Sequence, residues 1–246
     1  EVIVKAYSLA IDRKTPVAVS TIKAETIQNE LGSQEFPEIL KTTPGVYVTR
    51  GGGGFGDAEL RIRGFNSENV AVMINGIPVN DMENGRVYWS NWAGLSDVAS
   101  SMQVQRGLGA AMIGLPSIGG TVNIVTKSTD IEKGGNVMMT TGNDGYTKYG
   151  FKLSTGLLEN DWAATVSLSR TTGEQFVDAT TIDAYSYFLN VAKKIGENHE
   201  LSFTAFGAPQ RHGQRQNRLL IDDYRRSERG IRTNTDFGYK NGQLVN

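Results

Sequence analysis

Cysteine is absent from the 246 residues, histidine occurs twice and proline six times. Without cysteine there is neither a disulfide framework nor a thiolate metal site. His199 and His212 share no metal-ligand spacing, and the adjacent acids Asp222 and Asp223 point to opposite sides of an extended chain. No Gly-x-Ser-x-Gly elbow is present either, so no enzyme, catalytic set, metal site or cofactor is expected. No apolar run approaches the ~18 to 20 residues of a membrane helix, which excludes a helical membrane protein. It does not exclude a β-barrel, whose strands alternate and give a weak hydropathy signal. An excess of one charge is also missing. With 25 Lys and Arg against 26 Asp and Glu, the net charge is −1, and no basic field points to nucleic acid.

What is abundant is glycine, 29 residues of it, set at the ends of short apolar runs. Glu59-Leu60-Arg61-Ile62-Arg63-Gly64 is followed by Val70-Ala71-Val72-Met73-Ile74-Asn75-Gly76-Ile77-Pro78, then by Val104-Gln105-Arg106-Gly107, Gly114 and Gly119-Gly120-Thr121-Val122-Asn123-Ile124-Val125-Thr126-Lys127. Each block reads as a strand closed by a turn that needs positive φ or close backbone approach. Together they describe a compact mixed α/β module.

In order and wording these four blocks resemble the plug domain of TonB-dependent outer-membrane transporters. In that family an Ile-Arg-Gly strand precedes Val-x-x-Asp-Gly-Val-Pro, then Val-x-Arg-Gly-Pro-x-x-x-x-Tyr-Gly, then Gly-Gly-x-Ile-Asn-Ile-x-Thr-Lys. Here Asn75, Leu108 and Ile113 depart from the pattern. Ile39-Leu40 followed by Pro44-Gly45-Val46 matches a further block of the family.

Upstream, Glu1-Val2-Ile3-Val4-Lys5-Ala6 is β-prone and stands at a terminus, where order needs an anchor. It reads as a first strand of the plug sheet or, by the same resemblance, as a TonB box, the segment with which TonB pairs as an added strand. No basic and apolar leader precedes it, so an exported protein beginning here is a mature or trimmed form. Pro16 to Ile22 alternates at period two, Lys23 to Leu31 reads as a short helix stopped by Gly32, and a second helix is expected over Gln34 to Lys41 with Ser33 as N-cap and Pro37 in its first turn. The glycines from Gly51 to Gly56 invite a phosphate-loop reading but lack Gly-Lys-Ser/Thr and run into a strand, which leaves a flexible plug loop. Ser96 is the expected N-cap of a helix through Ser101.

Arg61 and Arg63 are two apart and project from one strand face. Such a face is a solvated edge on a soluble protein; the resemblance implies instead that Arg61, Arg63 and Arg106 dock the plug to acidic and polar groups of a barrel wall. Asn80 to Trp92 is the most loaded loop. Its aromatics are either a small satellite core or, facing a substrate cavity, platforms for a ligand. In the second reading Tyr88, Trp89 and Trp92 stack on the substrate, while Asp81, Glu83, Arg86 and Asn91 orient its polar groups. The phrasing of this loop is similar to transporters of Bacteroidetes-type bacteria, some of which work with a surface lipoprotein.

From Gly135 the texture changes to longer alternating strands. Tyr149, Phe151 and Leu153 lie on one face with Thr147, Trp162 opposes Ala163, and Tyr185, Tyr187 and Leu189 oppose Ser186, Phe188 and Asn190. Lengths of about nine to eleven with an apolar-out, polar-in face suit a transmembrane barrel, although an ordinary soluble sandwich would alternate too; the plug-like region in front of these strands favours the barrel. The fold class expected is therefore an α+β plug, a small mixed sheet with short helices, followed by antiparallel β-barrel strands. The segments are 1–6, a TonB-box-like stretch; 7–130, the plug; 131–207, about five barrel strands; and 208–246, a long extracellular loop. A closed bacterial barrel takes at least about eight strands. The chain is thus expected to be a piece of a longer one, whose family barrel has about 22 strands. The arginines from Arg211 to Arg232 are a solvated surface or a contact for an anionic ligand, lipopolysaccharide or a lipoprotein.

The resemblance implies active import of a scarce nutrient (siderophore, cobalamin, haem, glycan or peptide) across the outer membrane. Its partners would be TonB with its inner-membrane energising complex, outer-membrane lipid and the substrate, not nucleic acid. The rival readings are a ligand-sensing receptor and a soluble plug-like binding protein.

Overall fold

The computed structural model describes residues 18–51, 55, 58–107, 117–126 and 128–245. The Glu1–Ala6 segment, most of the run from Gly51 to Gly56 and the glycine-rich stretch 108–116 lie outside the described residues. Among the described residues the chain opens with β1 (Ala18–Lys23) and α1 (Ala24–Glu30), then a 3-10 helix at Phe36–Thr42 and a hairpin of β2 (Val46–Arg50) and β3 (Ala58–Ile62). β4 (Val70–Ile74), β5 (Ile77–Pro78), a 3-10 turn at Trp89–Trp92, α2 (Leu95–Val98), β6 (Ser101–Arg106) and β7 (Gly120–Val125) complete the first half.

A five-stranded sheet takes the order β1-β6-β7-β4-β5, with β4 and β7 parallel and the other neighbours antiparallel. β4 reads Val-Ala-Val-Met-Ile with no alternation because both of its faces are covered. A strand buried on both faces is apolar throughout. Asn75 and Gly76, both at positive φ (51° and 80°), join β4 to β5 with Ile74 opposite Ile77. A two-residue turn of that kind matches the right-handed strand twist, and Asn-Gly is its preferred sequence. Leu40, Ile62, Val98, Met102 and Val122 meet at the centre of this core.

Three local expectations are corrected. The 3-10 helix is capped at Glu35, not Ser33: the Glu38 carboxylate accepts the Glu35 N–H at 2.9 Å. The reciprocal contact takes precedence over a hydroxyl two residues upstream. α2 is preceded by Gly94 in the left-handed conformation, so Ser96 lies inside the helix rather than capping it. Arg63 lies beyond the end of β3 at φ 53°, where the chain turns, and so does not share a strand face with Arg61.

Glu38 is a buried carboxylate with a full set of partners. It receives Arg50 Nε at 2.8 Å, the Arg50 Nη2 at 2.7 Å and the Lys41 ammonium. Burial pushes its pKa up, but the bonds from Arg50, Lys41 and the Glu35 backbone outweigh that and hold it below the ordinary 4.5. A depressed carboxylate pKa contributes stability that is present above the unfolded value and is lost as pH falls through the folded one. Acid unfolding of the plug followed by tryptophan fluorescence should therefore show a Glu38→Gln variant with a shallower loss of stability below pH 4.5 than the parent, from a lower starting point at neutral pH. Parallel acid limbs would rule this out.

The second half is an antiparallel meander of β8 (Gly134–Thr141), β9 (Thr147–Ser154), β10 (Trp162–Glu174), β11 (Thr181–Ile195) and β12 (His199–Gly207), in sheet order β12-β11-β10-β9-β8. On β10 and β11, with β9 beside them, the faces sort as the alternation predicts, and in the opposite sense to a water-soluble sheet. Ala163, Thr165, Ser167, Asn190 and Ala192 are buried against the plug, whereas Tyr149, Leu153, Trp162, Leu168, Tyr187 and Leu189 are 40–54% exposed on the other side. An aromatic and aliphatic outer face over a small, polar inner one is the pattern of a strand whose outer neighbour is lipid.

β10 and β11 run to 13 and 15 residues, longer than the nine to eleven expected. Residues after 207 are also more ordered than a long loop. β13 (Gln210–His212) pairs with the start of β11, and α3 (Ile221–Arg226), a 3-10 turn at Gly230–Arg232 and a hairpin of β14 (Gly238–Lys240) and β15 (Gln243–Val245) follow.

Candidate functional site

The loop from Asn80 to Trp92 is shaped by its own polar side chains. Asn80 accepts the Val72 N–H at 2.8 Å and donates to the carbonyls of Val70 at 3.0 Å and Gly85 at 2.8 Å, which clamps the loop to β4. The Asp81 carboxylate accepts the N–H groups of Glu83 (2.9 Å) and Asn84 (3.1 Å), the side-chain turn that aspartate favours. Asn84 in turn accepts the Arg86 N–H and donates to the Tyr88 hydroxyl at 2.8 Å. Arg86 donates Nε to Glu68 at 2.8 Å. The backbone at Glu68 and then this guanidinium hold the Glu68 carboxyl below the usual carboxylate range.

This arrangement divides the seven predicted ligand residues. Arg86, Tyr88 and Asn91 line an open cleft of about 1050 Å³, bordered also by Arg50 and Glu59 of the β2–β3 hairpin and by Arg215, Arg218 and Tyr224 of the 214–224 segment. Asp81 forms the turn rather than the cleft, and Glu83 is exposed outside it. Trp89 is 6% exposed and packs edge-on against Phe36, with ring centroids 6.3 Å apart, so it belongs to the plug core. Trp92 stacks on Phe206 of β12 at 5.6 Å and 18°, a contact between plug and wall. The structure therefore holds Trp89 and Trp92 in packed ring contacts and leaves Arg86, Tyr88 and Asn91 at the cleft.

Sequence reasoning did not place Arg50 or Tyr224 at this cleft, and gave Arg215 and Arg218 only within the run from Arg211 to Arg232, as a solvated surface or an anion contact. The arginine-rich composition of the tail was the available signal, but which arginines face the plug depends on how that tail is held down. Asp178 does the holding. It receives Nε and Nη2 of Arg229, both at 2.7 Å, and Arg232 Nε at 3.4 Å, while Arg232 also reaches Asp144 at 3.3 Å. The Asp178 N–H donates to the Arg232 carbonyl at 2.9 Å and Asn234 donates to the Asp178 carbonyl at 2.8 Å. The Arg229 bonds, set against burial, lower the Asp178 pKa.

A smaller cavity of about 320 Å³ lies between plug and wall, bounded by Phe36, Trp89 and Trp92 on one side and Tyr146, Lys148 and Gln175 on the other. Beside it Lys148 of β9 donates to Asp97 of α2 at 2.6 Å, with the Ser169 hydroxyl 3.3 Å from the other carboxylate oxygen. The three predicted docking arginines make their described contacts within the plug. Arg61 pairs with Glu59 at 3.5 Å, Arg63 lies against Gly107, and Arg106 donates Nη1 to the Pro44 carbonyl at 2.9 Å. The contacts to the strands of this chain include those of Asp97, Trp92, Gly94, Phe55, whose ring meets His212 of β13, and Thr129, whose hydroxyl donates to Glu200 at 3.0 Å.

The model of the TonB-dependent Receptor Plug Domain family matches residues 12–121. Among curated proteins the chain is 27% identical over 135 residues to the vitamin B12 transporter BtuB of Vibrio vulnificus, an alignment covering 55% of this chain and 22% of that protein. It is 32% identical over 138 residues to the ferric enterobactin receptor of Pseudomonas aeruginosa, covering 51% and 18%. The chain thus spans about a fifth of the length of the curated relatives it matches. Among solved structures, the unliganded ferric citrate transporter FecA superposes with a TM-score of 0.66 at 22% identity over 86% of this chain and 33% of its own. The P. aeruginosa receptor FpvA in complex with a ferric pyoverdine gives 0.64 at 18% over 79% and 25%. Both carry the same fold. With the motif order, the mixed sheet and the strands that pack on it, these matches place residues 12–121 in the TonB-dependent receptor plug domain family.

Proposed function

We propose that the full-length protein imports a scarce nutrient across the Gram-negative outer membrane, driven through TonB by the inner-membrane proton gradient. The observation that carries this is the inverted wall, small and polar toward the plug and aromatic toward the outside. Such a wall suits lipid on its outer face and a polar lumen, here filled by the plug, on its inner one. The relatives named for vitamin B12 and ferric enterobactin support a nutrient of the chelate or corrin kind.

In this reading substrate enters the cleft over Arg86, Tyr88 and Asn91, at the end of the strands where residues 143–145 and 175–180 turn. Occupancy favours exposure of Glu1 to Ala6 to the periplasm, where TonB adds to the segment as a strand and draws part of the plug aside. The coupling requires that substrate bind the two plug states with different affinity. Deleting residues 1–6 from the full-length protein should abolish energised uptake of the cognate nutrient into cells while leaving its binding at the cell surface intact. Uptake at the parental rate in that deletion would remove the energy-coupling step.

A further inference from the structure

We propose that residues 214–236 form a strap swung on β13 and latched to the wall by ion pairs at Asp178, and that dissolved salt releases the latch. This goes beyond nutrient import and rests on contacts within this chain alone.

The strap is tied to itself. Arg215 donates Nη1 to the carbonyls of Ile231 (3.0 Å) and Thr233 (2.9 Å). The Asp236 carboxylate accepts the N–H groups of Gln216 and Asn217 and acts on the Arg215 guanidinium as well. Asn234, 2% exposed, lies between the Asp178 and Gln214 carbonyls and donates toward both. These bonds join the two ends of the segment, so 214–217 and 231–236 move together.

Among the described residues, two sets of contacts attach the strap to the wall. At its start β13 pairs with β11, from Gln210 opposite Ala184 to His212 opposite Ile182, and the Gly213 N–H donates to the Thr181 carbonyl at 2.9 Å. At its far end Arg229 grips Asp178 with Nε and Nη2, and Arg232 spans Asp178 and Asp144 with its guanidinium 5.2 Å from the Phe176 ring. Two uncharged bonds accompany these ion pairs, from the Asp178 N–H to the Arg232 carbonyl and from Asn234 to the Asp178 carbonyl. The strap borders the cleft from Gln214 to Leu219 and at Tyr224, so its angle on β13 sets how wide the cleft stands.

Charge decides which attachment yields first. The Asp178 side chain is 14% exposed and held in a bidentate grip, which makes the latch firm at low salt. Arg229 and Arg232 are 63% and 34% exposed, so dissolved ions reach the cationic side of both pairs. The screening length falls from ~10 Å at 0.1 M salt to ~3 Å at 1 M, and exposed pairs weaken with it. The backbone ladder of β13 carries no net charge and outlasts them.

The test measures the distance between spin labels on the full-length receptor in detergent, at Glu228→Cys on the strap and Glu159→Cys on a turn of the wall, both exposed positions. Between about 0.02 M and about 1 M salt the population at altered distance should grow severalfold, up to about tenfold. Asp178→Asn keeps both backbone groups and removes the charge, so it should show that population at low salt and lose the response to salt. Asp222→Asn removes a charge from the strap's own helix, where it pairs with Arg225, and should behave as the parent. A parent distribution indifferent to salt, or an Asp178→Asn distribution equal to the parent's at low salt, would overturn the latch. The salt series on the parent needs no substitution at the clasp, so it decides the matter even where Asp178→Asn fails to fold. Neither ligand nor uptake enters the measurement, so the latch and the import reading stand or fall separately.

Discussion

Asp97→Ala should lower the thermal stability of the full-length receptor by an amount equivalent to about 3–5 kcal/mol, the range for removing one member of a buried ion pair. Asp97 and Lys148 are 8% and 15% exposed at their side chains, so the ammonium left behind would have neither a carboxylate nor much water around it. The Ser169 hydroxyl would lose its acceptor as well. Melting followed by tryptophan fluorescence is suited to the measurement, since Trp89 and Trp92 both border the cavity beside this pair. The double variant Asp97→Leu with Lys148→Met removes both charges and should recover most of the loss, because replacing a buried pair by apolar groups of similar size is often close to neutral. A single variant that melts with the parent would show that water already reaches the seam.

Gly94→Val should be more disruptive still. Gly94 sits at φ 81°, where a β-branched residue is strained, and a Cβ there would stand 2.1 Å from the Ser186 hydroxyl and 2.5 Å from the Ser186 Cβ on the wall. Backbone strain alone costs about 1–3 kcal/mol, and the overlap must be relieved by moving the plug away from β11. The expected outcome is little folded receptor in the outer membrane and a plug cleaved by added protease in what remains. Gly94→Ala tested with and without Ser186→Gly separates the two causes. Removing the serine side chain relieves the overlap but not the strain, so partial rescue is expected. No rescue would place the whole effect in the backbone.

The plug was legible in the sequence because its turns are chemically marked. Asn75-Gly76 announces a two-residue hairpin, and the unbroken apolar run of β4 announces a strand covered on both faces. The two faces of the wall strands were legible from period-two alternation, but which face would be buried came from the plug-like region before them, since a soluble sandwich alternates too. The cap positions were not: Glu38 reaching back to Glu35 and the left-handed Gly94 depend on side-chain and backbone geometry that adjacent serines mimic in composition. The cleft was only half legible. Tyr88 and Trp89 are neighbours in sequence and similar in chemistry, yet one borders the cleft while the other turns to Phe36. That choice is made by a partner from a different helix, which no local pattern contains. Arg215 and Arg218 were hidden in a run of arginines because their placement follows from the clasp at Asp178, formed between segments far apart in the chain.

Among the described residues β1 stands at the edge of the plug sheet, paired to β6 from Ala18 opposite Arg106 to Lys23 opposite Ser101. Its mechanical response therefore depends on direction. A pull on the chain upstream of Ala18, directed across the strands, loads one backbone hydrogen bond at a time and opens the edge like a zip at low force. The same pull directed along β1 loads the whole ladder in shear, so that the strand holds and the tension passes into β6 and the core beneath it. The angle at which tension arrives, as much as its size, decides whether this domain unravels from its edge or moves as a block.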